Sequence, residues 1–178
     1  VYMRQPVRAV HEDYPIDAVI GIDDTVVEAA AVVARELGLP HNDPEAVAVA
    51  GDKRRAREQL AAGGVPCPEF EWRRFEDPER AGTPVFGFPA VVKPLSLSAS
   101  RGVIRADDHA GMVGAVSRLE SIVDAESGGS IQEGFLVESF VSGPEVAIEG
   151  RLRDGQLEVL AVFDKPEPLE GPYLEETL

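Results

Sequence analysis

Lys93 stands at the end of a short apolar run, where its charge could meet an anion. The run Pro89–Val92 precedes it and Pro94 follows it. A lysine at the end of a buried strand must direct its ammonium group to a partner, and a phosphate is a suitable one. The loop that follows, residues 95–102, is rich in serine and contains Arg101, so backbone N–H groups, hydroxyls and a guanidinium could bind phosphate oxygens there. An ordinary hairpin loop is the alternative, and the loop is not a Walker A motif.

Lys53 is a second cation that could reach a phosphate. It follows Gly51-Asp52 at the start of a predicted helix, with three arginines within the next four residues. Taken alone, such a charged run is more typical of a solvent-exposed helix face that pairs with acidic side chains.

Glu138 and Glu145 flank a turn predicted at Ser142-Gly143-Pro144. The N–H and C=O groups at a strand edge could pair with the rim of an adenine, and Glu145 could accept two hydrogen bonds from ribose hydroxyls. The alternative is a surface hairpin that carries two exposed acids.

Hydrophobic periodicity predicts the elements that would position these groups. A short buried strand at 16–22 is followed directly by a helix at 26–37, and this strand–helix pairing is the unit of a parallel sheet. The apolar face predicted for a later helix, 107–123, consists of Met112, Val113, Val116, Leu119 and Val123. Residues 1–15 and the tail from Asp164 contain no predicted helix or strand. The other predicted elements are helices at 44–50 and 52–62, strands at 69–74, 89–94, 103–104 and 135–140, and a hairpin of 145–152 with 157–163 around an Asp-Gly turn.

Composition excludes several classes of function. The chain has 178 residues, of which 44% are hydrophobic and 28% charged, with a net charge of -15. This balance argues against wholesale disorder and against nucleic acid as the main partner. No apolar run approaches the ~20 residues of a membrane span, and no signal-peptide pattern opens the chain, so we expect a cytoplasmic protein without a membrane partner. The single cysteine, Cys67, excludes an internal disulfide.

In their order along the chain, these segments resemble the ATP-grasp family. The earlier segments Val19–Asp24 and Leu37–Asn42 look like the end of the domain that precedes the grasp fold. The resemblance is to the carboxylate–amine and amino-acid ligase branch, with biotin carboxylase and carbamoyl phosphate synthase as similar enzymes. The segments that carry it are Gly51–Lys53, Gly64–Pro68, Phe88–Pro94, Ser98–Val103 and Val137–Glu145.

The resemblance implies an α/β fold that is a partial ATP-grasp fold. Residues 1–50 would end a Rossmann-like pre-ATP-grasp domain, residues 51–134 would form the N-terminal lobe with its phosphate flap, and residues 135–178 would begin an incomplete C-terminal lobe. The implied site residues are Lys53 and Lys93 on the ATP phosphates, Ser98, Ser100, Arg101 and Gly102 in a mobile flap, Glu138 on the adenine amino group, the backbone of Phe140 and Val141 on the ring, and Glu145 on the ribose.

The implied activity is ATP-dependent ligation of a small carboxylate to an amine acceptor through an acyl phosphate, and a homodimer is consistent with the resemblance. Family members hold Mg²⁺ with an acid and a Glu-x-Asn pair, and no Glu-x-Asn triplet occurs in this chain. We therefore expect the Mg²⁺ ligands downstream of this chain, which would be a piece of a longer enzyme and inactive alone. A non-catalytic nucleotide-binding module of the same ancestry is the alternative. A dinucleotide-binding domain is less favoured, because Asp23-Asp24 stands where a glycine-rich turn is needed.

Overall fold

Helices dominate the first part of the chain and antiparallel strands the second. The computed structural model describes residues 4–77, 79–95, 97–127 and 134–165. These residues form two units: the first reaches Cys67 and includes Leu95, Leu97 and Ser98, and the second runs from Pro68 to Pro94 and from Ala99 onward. The elements are α1 (Arg4–Asp13), α2 (Asp24–Glu36), α3 (Pro44–Gly51), α4 (Lys53–Ala62), β1 (Phe70–Arg73), β2 (Ala90–Pro94), β3 (Ile104–Ala106), α5 (His109–Ser127), β4 (Phe135–Ser139), β5 (Glu145–Arg153) and β6 (Gln156–Lys165).

Aspartate caps begin three helices of the first unit. The carboxylate of Asp23 accepts hydrogen bonds from the Thr25 backbone N–H at 2.9 Å and the Thr25 hydroxyl at 2.6 Å. The hydroxyl bond and then the backbone bond lower the pKa of Asp23. Asp43 caps α3 and Asp52 caps α4 in the same way. The sequence predictions of α2, α3 and α4 are therefore confirmed, with ends that differ by one or two residues.

The strand predicted at 16–22 is wrong: this segment is neither strand nor helix. Ile20 is 80% exposed and Ile22 is 94% exposed. A strand exists only when its backbone pairs with another strand, and the regular elements among the described residues of this unit are all helices. An apolar β-branched run is therefore not sufficient evidence for a strand. The preceding residues, which the sequence did not assign, form α1.

Four strands of the second unit form an antiparallel sheet in the order β1-β4-β2-β3. The predicted strands at 69–74, 89–94, 103–104 and 135–140 are confirmed. Helix α5 packs on one face of this sheet and buries Met112, Val116, Leu119 and Val123 against it. Val113, which the helical spacing predicts on the same apolar face, is exposed instead. The buried stripe continues through Ala115, which shares the helix face of Met112 and Val116.

The two faces of this sheet carry different side chains. The face toward α5 is apolar and contributes Ala90, Val92, Ile104, Ala106, Phe135 and Val137 to the core. Because side chains alternate along a strand, the opposite face carries Val91, Lys93, Arg105, Leu136 and Glu138. The predicted phosphate lysine and one predicted adenine acid therefore share the sheet face that α5 does not cover.

A two-stranded sheet follows, formed by β5 and β6. The predicted Asp154-Gly155 turn is confirmed, and both residues have positive φ, 51° and 77°, as a two-residue hairpin turn requires. The register shifts by one residue between Glu149 and Gly150. β6 extends to Lys165, beyond the predicted end, and the rest of the predicted loop lies outside the described residues.

No helix among the described residues is long and apolar enough to cross a membrane.

Two valines of α5 test the position of the core. Val116 is 1% exposed and Val113 is 48% exposed. We expect Val116→Ala to lower the free energy of unfolding by about 1.5–3 kcal/mol, because it removes two buried methyl groups and leaves a cavity. The same change at Val113 on the same helix is the matched control and should cost less than about 0.5 kcal/mol. Urea unfolding measures both; similar losses would contradict the assigned core.

Candidate functional site

Lys93 and Glu138 form a buried ion pair on the sheet face opposite α5. Lys93 Nζ lies 2.7 Å from Glu138 Oε2, and the side chains are 17% and 4% exposed. The register explains the contact: Glu138 on β4 lies opposite Val91 on β2, and Lys93 follows two residues later on the same face. The alternative in which Glu138 is an exposed hairpin acid is therefore wrong. Burial weakens water's screening, so the two charges hold each other in a fixed geometry.

The contact between Lys93 and Glu138 does not use all the hydrogen-bonding positions of an ammonium and a carboxylate. An ammonium has three N–H donors, so Lys93 can hold Glu138 and still donate to an anion. A carboxylate has about four acceptor positions, so Glu138 can hold Lys93 and still accept from an amino group. The arrangement therefore suits a ligand that presents a negative group and an amine at different ends.

The Phe140–Pro144 linker leaves the sheet directly after β4, which ends at Ser139, the residue that follows Glu138. Phe140 N–H donates to the Pro89 carbonyl at 3.1 Å, and the preceding Ser139 N–H donates to the Glu69 carbonyl at 2.9 Å. Phe140 is half-buried, whereas Val141 is exposed. The predicted adenine-binding backbone is therefore anchored at its first residue and open to solvent at its second.

Glu145 and Lys165 form an ion pair where the linker enters β5. Lys165 Nζ lies 2.7 Å from Glu145 Oε1, with both side chains partly exposed. Sequence reasoning missed Lys165. If the strand pairing next to the Asp154-Gly155 turn continued unchanged along β5 and β6, Asp164 would lie opposite Glu145. The one-residue shift places Lys165 there instead. This shift places a cation beside the predicted ribose acid.

The predicted flap begins with backbone of unusual geometry. Ala99 and Ser100 have φ values of 53° and 55°. Val103 N–H closes the turn on the Ser100 carbonyl at 3.1 Å. Gly102 is buried with φ 73°, and a Cβ there would lie 2.9 Å from Leu119 on α5. The glycine therefore lets the end of the loop pack closely against the helix.

The two other predicted flap residues differ in their surroundings. Arg101 pairs with Glu126 of α5 at 2.7 Å, and both are partly exposed. Ser98 is exposed and belongs to the first unit. An exposed ion pair is weak, so it leaves Arg101 able to exchange Glu126 for a phosphate.

Lys53, in the first unit, is oriented by backbone carbonyls. Its ammonium donates to the Leu97 carbonyl at 2.5 Å and to the Leu95 carbonyl at 3.4 Å. Two neighbouring arginines instead pair with acids, Arg54 with Glu58 and Arg55 with Glu45. The solvent-face alternative therefore describes these arginines, while the half-buried Lys53 is directed at the loop that follows β2. Among the residues that the structure describes, no group of three His, Cys, Asp or Glu side chains could hold a metal ion.

Two family models match the chain. One, described as an ATP-grasp domain, matches residues 86–178, and the other, described as an ATP-grasp N-terminal domain, matches residues 2–41. The chain is similar to phosphoribosylamine–glycine ligase from Streptomyces coelicolor, with 30% identity over 132 residues, which are 73% of this chain and 29% of that protein.

Solved structures share the fold. An L-amino acid ligase from Bacillus licheniformis superposes with a TM-score of 0.68 at 24% identity, over 93% of this chain and 37% of that one. A biotin carboxylase domain of 2-oxoglutarate carboxylase from Hydrogenobacter thermophilus, in complex with MgADP, ADP and bicarbonate, gives 0.64 at 18% identity, over 83% of this chain and 33% of that one. The chain thus spans about a third of the length of these relatives.

Removing one member of the Lys93–Glu138 pair should destabilise the second unit strongly. Breaking a buried pair typically costs about 3–5 kcal/mol, and we expect Glu138→Gln to fall near the lower end because Lys93 keeps some exposure. Glu126→Gln is the matched control: it breaks a pair of equal length that is exposed, and should cost less than about 1 kcal/mol. Thermal unfolding compares them, and equal small losses would show that the buried pair is not a structural constraint.

Proposed function

Because the chain belongs to the ATP-grasp family, we propose that it is the ATP-binding part of an ATP-dependent ligase. The full reaction would join a small carboxylate to an amine through an acyl phosphate. One observation carries the proposal: the buried Lys93–Glu138 pair lies on the sheet face opposite α5, and β4, which carries Glu138, leads directly into the anchored Phe140 linker.

The phosphate end of the proposed site is Lys93. Phosphoryl transfer to a carboxylate needs positive charge fixed beside the phosphate oxygens before the reaction begins. Lys93 meets this need, since its strand and Glu138 hold the ammonium in place in a protein of net charge -15. We propose Arg101, Ser100 and Gly102 as the flap over the phosphates. The phosphate roles of Ser98 and Lys53, which belong to the first unit, stay predictions from the family resemblance.

The nucleoside end of the proposed site follows along the chain. We propose that Glu138 accepts from the adenine amino group and that the backbone of Phe140 and Val141 meets the ring. Glu145 would accept from the ribose hydroxyls. Lys165, which pairs with Glu145, keeps that carboxylate oriented and offsets its repulsion of the phosphates.

Magnesium, when bound, would supply positive charge that stabilises the phosphate oxygens during transfer. The described residues contain no acidic cluster that fits it, so we assign no described residue to the metal. The carboxylate and amine substrates, a homodimeric state and a cytoplasmic location also belong to the proposal.

Nucleotide affinity tests the phosphate role. We expect Lys93→Ala to weaken ATP binding about 10- to 150-fold, the value of one charged hydrogen bond. Lys53→Ala should weaken it less, because two carbonyls already take two of the three N–H donors of that ammonium, whereas Glu138 takes one from Lys93. Calorimetric titration of the 178-residue chain gives both values, with thermal melting to confirm folding. Equal losses would contradict the ranking, and no loss from either change would overturn the site.

Glu145→Gln tests the ribose role. It should weaken ATP and ADP by the same factor, because a ribose contact does not depend on the γ-phosphate. Glu149→Gln is a suitable control, since Glu149 is another exposed acid of β5, before the register shift. A loss confined to ATP would place Glu145 at the phosphates instead.

A further inference from the structure

Arg105 lies in the same row of the sheet as Glu138, although no sequence motif predicts a binding role for it. It stands opposite Val91 on β2, and Val91 stands opposite Glu138 on β4. Strands are about 4.8 Å apart, so Arg105 and Glu138 are about 10 Å apart along one row. Both side chains lie on the face opposite α5.

The guanidinium of Arg105 covers the ring of Phe140. Its central carbon lies 4.2 Å from the ring centroid, which is within the range of a cation–π contact. Asp107 orients the guanidinium, because one of its carboxylate oxygens lies 2.8 Å from both Nε and Nη2 of Arg105. Asp107, Arg105 and Phe140 are therefore connected, by an ion pair at one side of the guanidinium and by ring stacking at the other.

Phe140 is consequently fixed at two points. Its N–H is bound to the Pro89 carbonyl, and its ring is held by Arg105. The next residue, Val141, is exposed and leads toward the second sheet. A linker that has to be ordered on binding loses affinity through its conformational entropy, and a linker that is already ordered does not.

We propose that Arg105 is a positioning residue for purine binding. It holds the ring of Phe140, whose N–H is bound to Pro89, and through that ring it fixes the direction of the Phe140 C=O and of the Val141 N–H and C=O groups that meet the base. The inference rests on the proposed function and adds the residue that prepares its base-binding segment. Arg105 acts on the base end of the nucleotide and not on the phosphates.

The test is a calorimetric titration of the 178-residue chain with ATP, ADP and AMP. We expect Arg105→Gln to weaken all three by the same factor, about 3- to 10-fold, because the three share the base. Arg74→Gln is the matched control, since Arg74 also lies over an aromatic ring, that of Trp72 at 5.2 Å, and precedes no predicted binding segment. It should leave all three affinities unchanged.

Two further variants separate positioning from folding. Asp107→Asn keeps Arg105 but weakens its orientation, and should give a smaller loss of the same kind. In a Phe140→Leu background, Arg105→Gln should cause no additional loss, because the ring through which it acts is gone. A merely structural role would lower the melting temperature and leave the affinity of the folded protein unchanged.

The outcomes distinguish a failure of the proposed function from a failure of the inference about Arg105. Wild-type chain that binds none of the three nucleotides would overturn the proposed function and this inference together. Wild-type binding with unchanged affinity in Arg105→Gln would overturn the inference alone. A loss that grows from AMP to ATP would also overturn it, because that result would make Arg105 a phosphate ligand.

Discussion

The buried pair of Lys93 and Glu138 is the constraint on which the candidate site depends. A sheet that uses one face for its core has to place any charge on the other face, and here that face carries an acid and a base 2.7 Å apart. Neither charge is stable there without the other. The pair adds a side-chain contact to the ladder between β2, which leads toward the proposed flap, and β4, which leads into the linker. The proposed phosphate and base contacts thereby lie on neighbouring strands of one sheet.

Local pairing explains how so acidic a protein can present positive charge to an anion. Several of its cations are matched with acids at the surface, such as Arg101 with Glu126 and Arg151 with Glu158. Exposed pairs of this kind are weak and exchange readily. Lys93 differs because its partner is buried, so its ammonium keeps one position. The net charge of -15 is therefore a property of the whole surface and does not describe the site.

The one-residue register shift in the β5–β6 hairpin also places opposite charges next to each other. Without it, Asp164 would stand opposite Glu145 and two acids would repel each other. With it, Lys165 neutralises Glu145 and the linker enters the hairpin beside a balanced pair. A backbone irregularity far from the turn thus decides the chemistry at the other end of the hairpin.

Local sequence patterns were sufficient to predict helices α2 to α4, the Asp154-Gly155 hairpin and the ATP-grasp resemblance, because caps, periodicity and turn residues act over a few neighbours. It also indicated Lys93 and Glu138 separately, but not that they touch. Other features could not be predicted because each depends on residues far away along the chain. They are the absence of a strand at 16–22, the exposure of Val113, the partner of Glu145 and the stacking of Arg105 on Phe140. These features arise only in the folded chain, since strand pairing, register and burial depend on which distant segments contact each other.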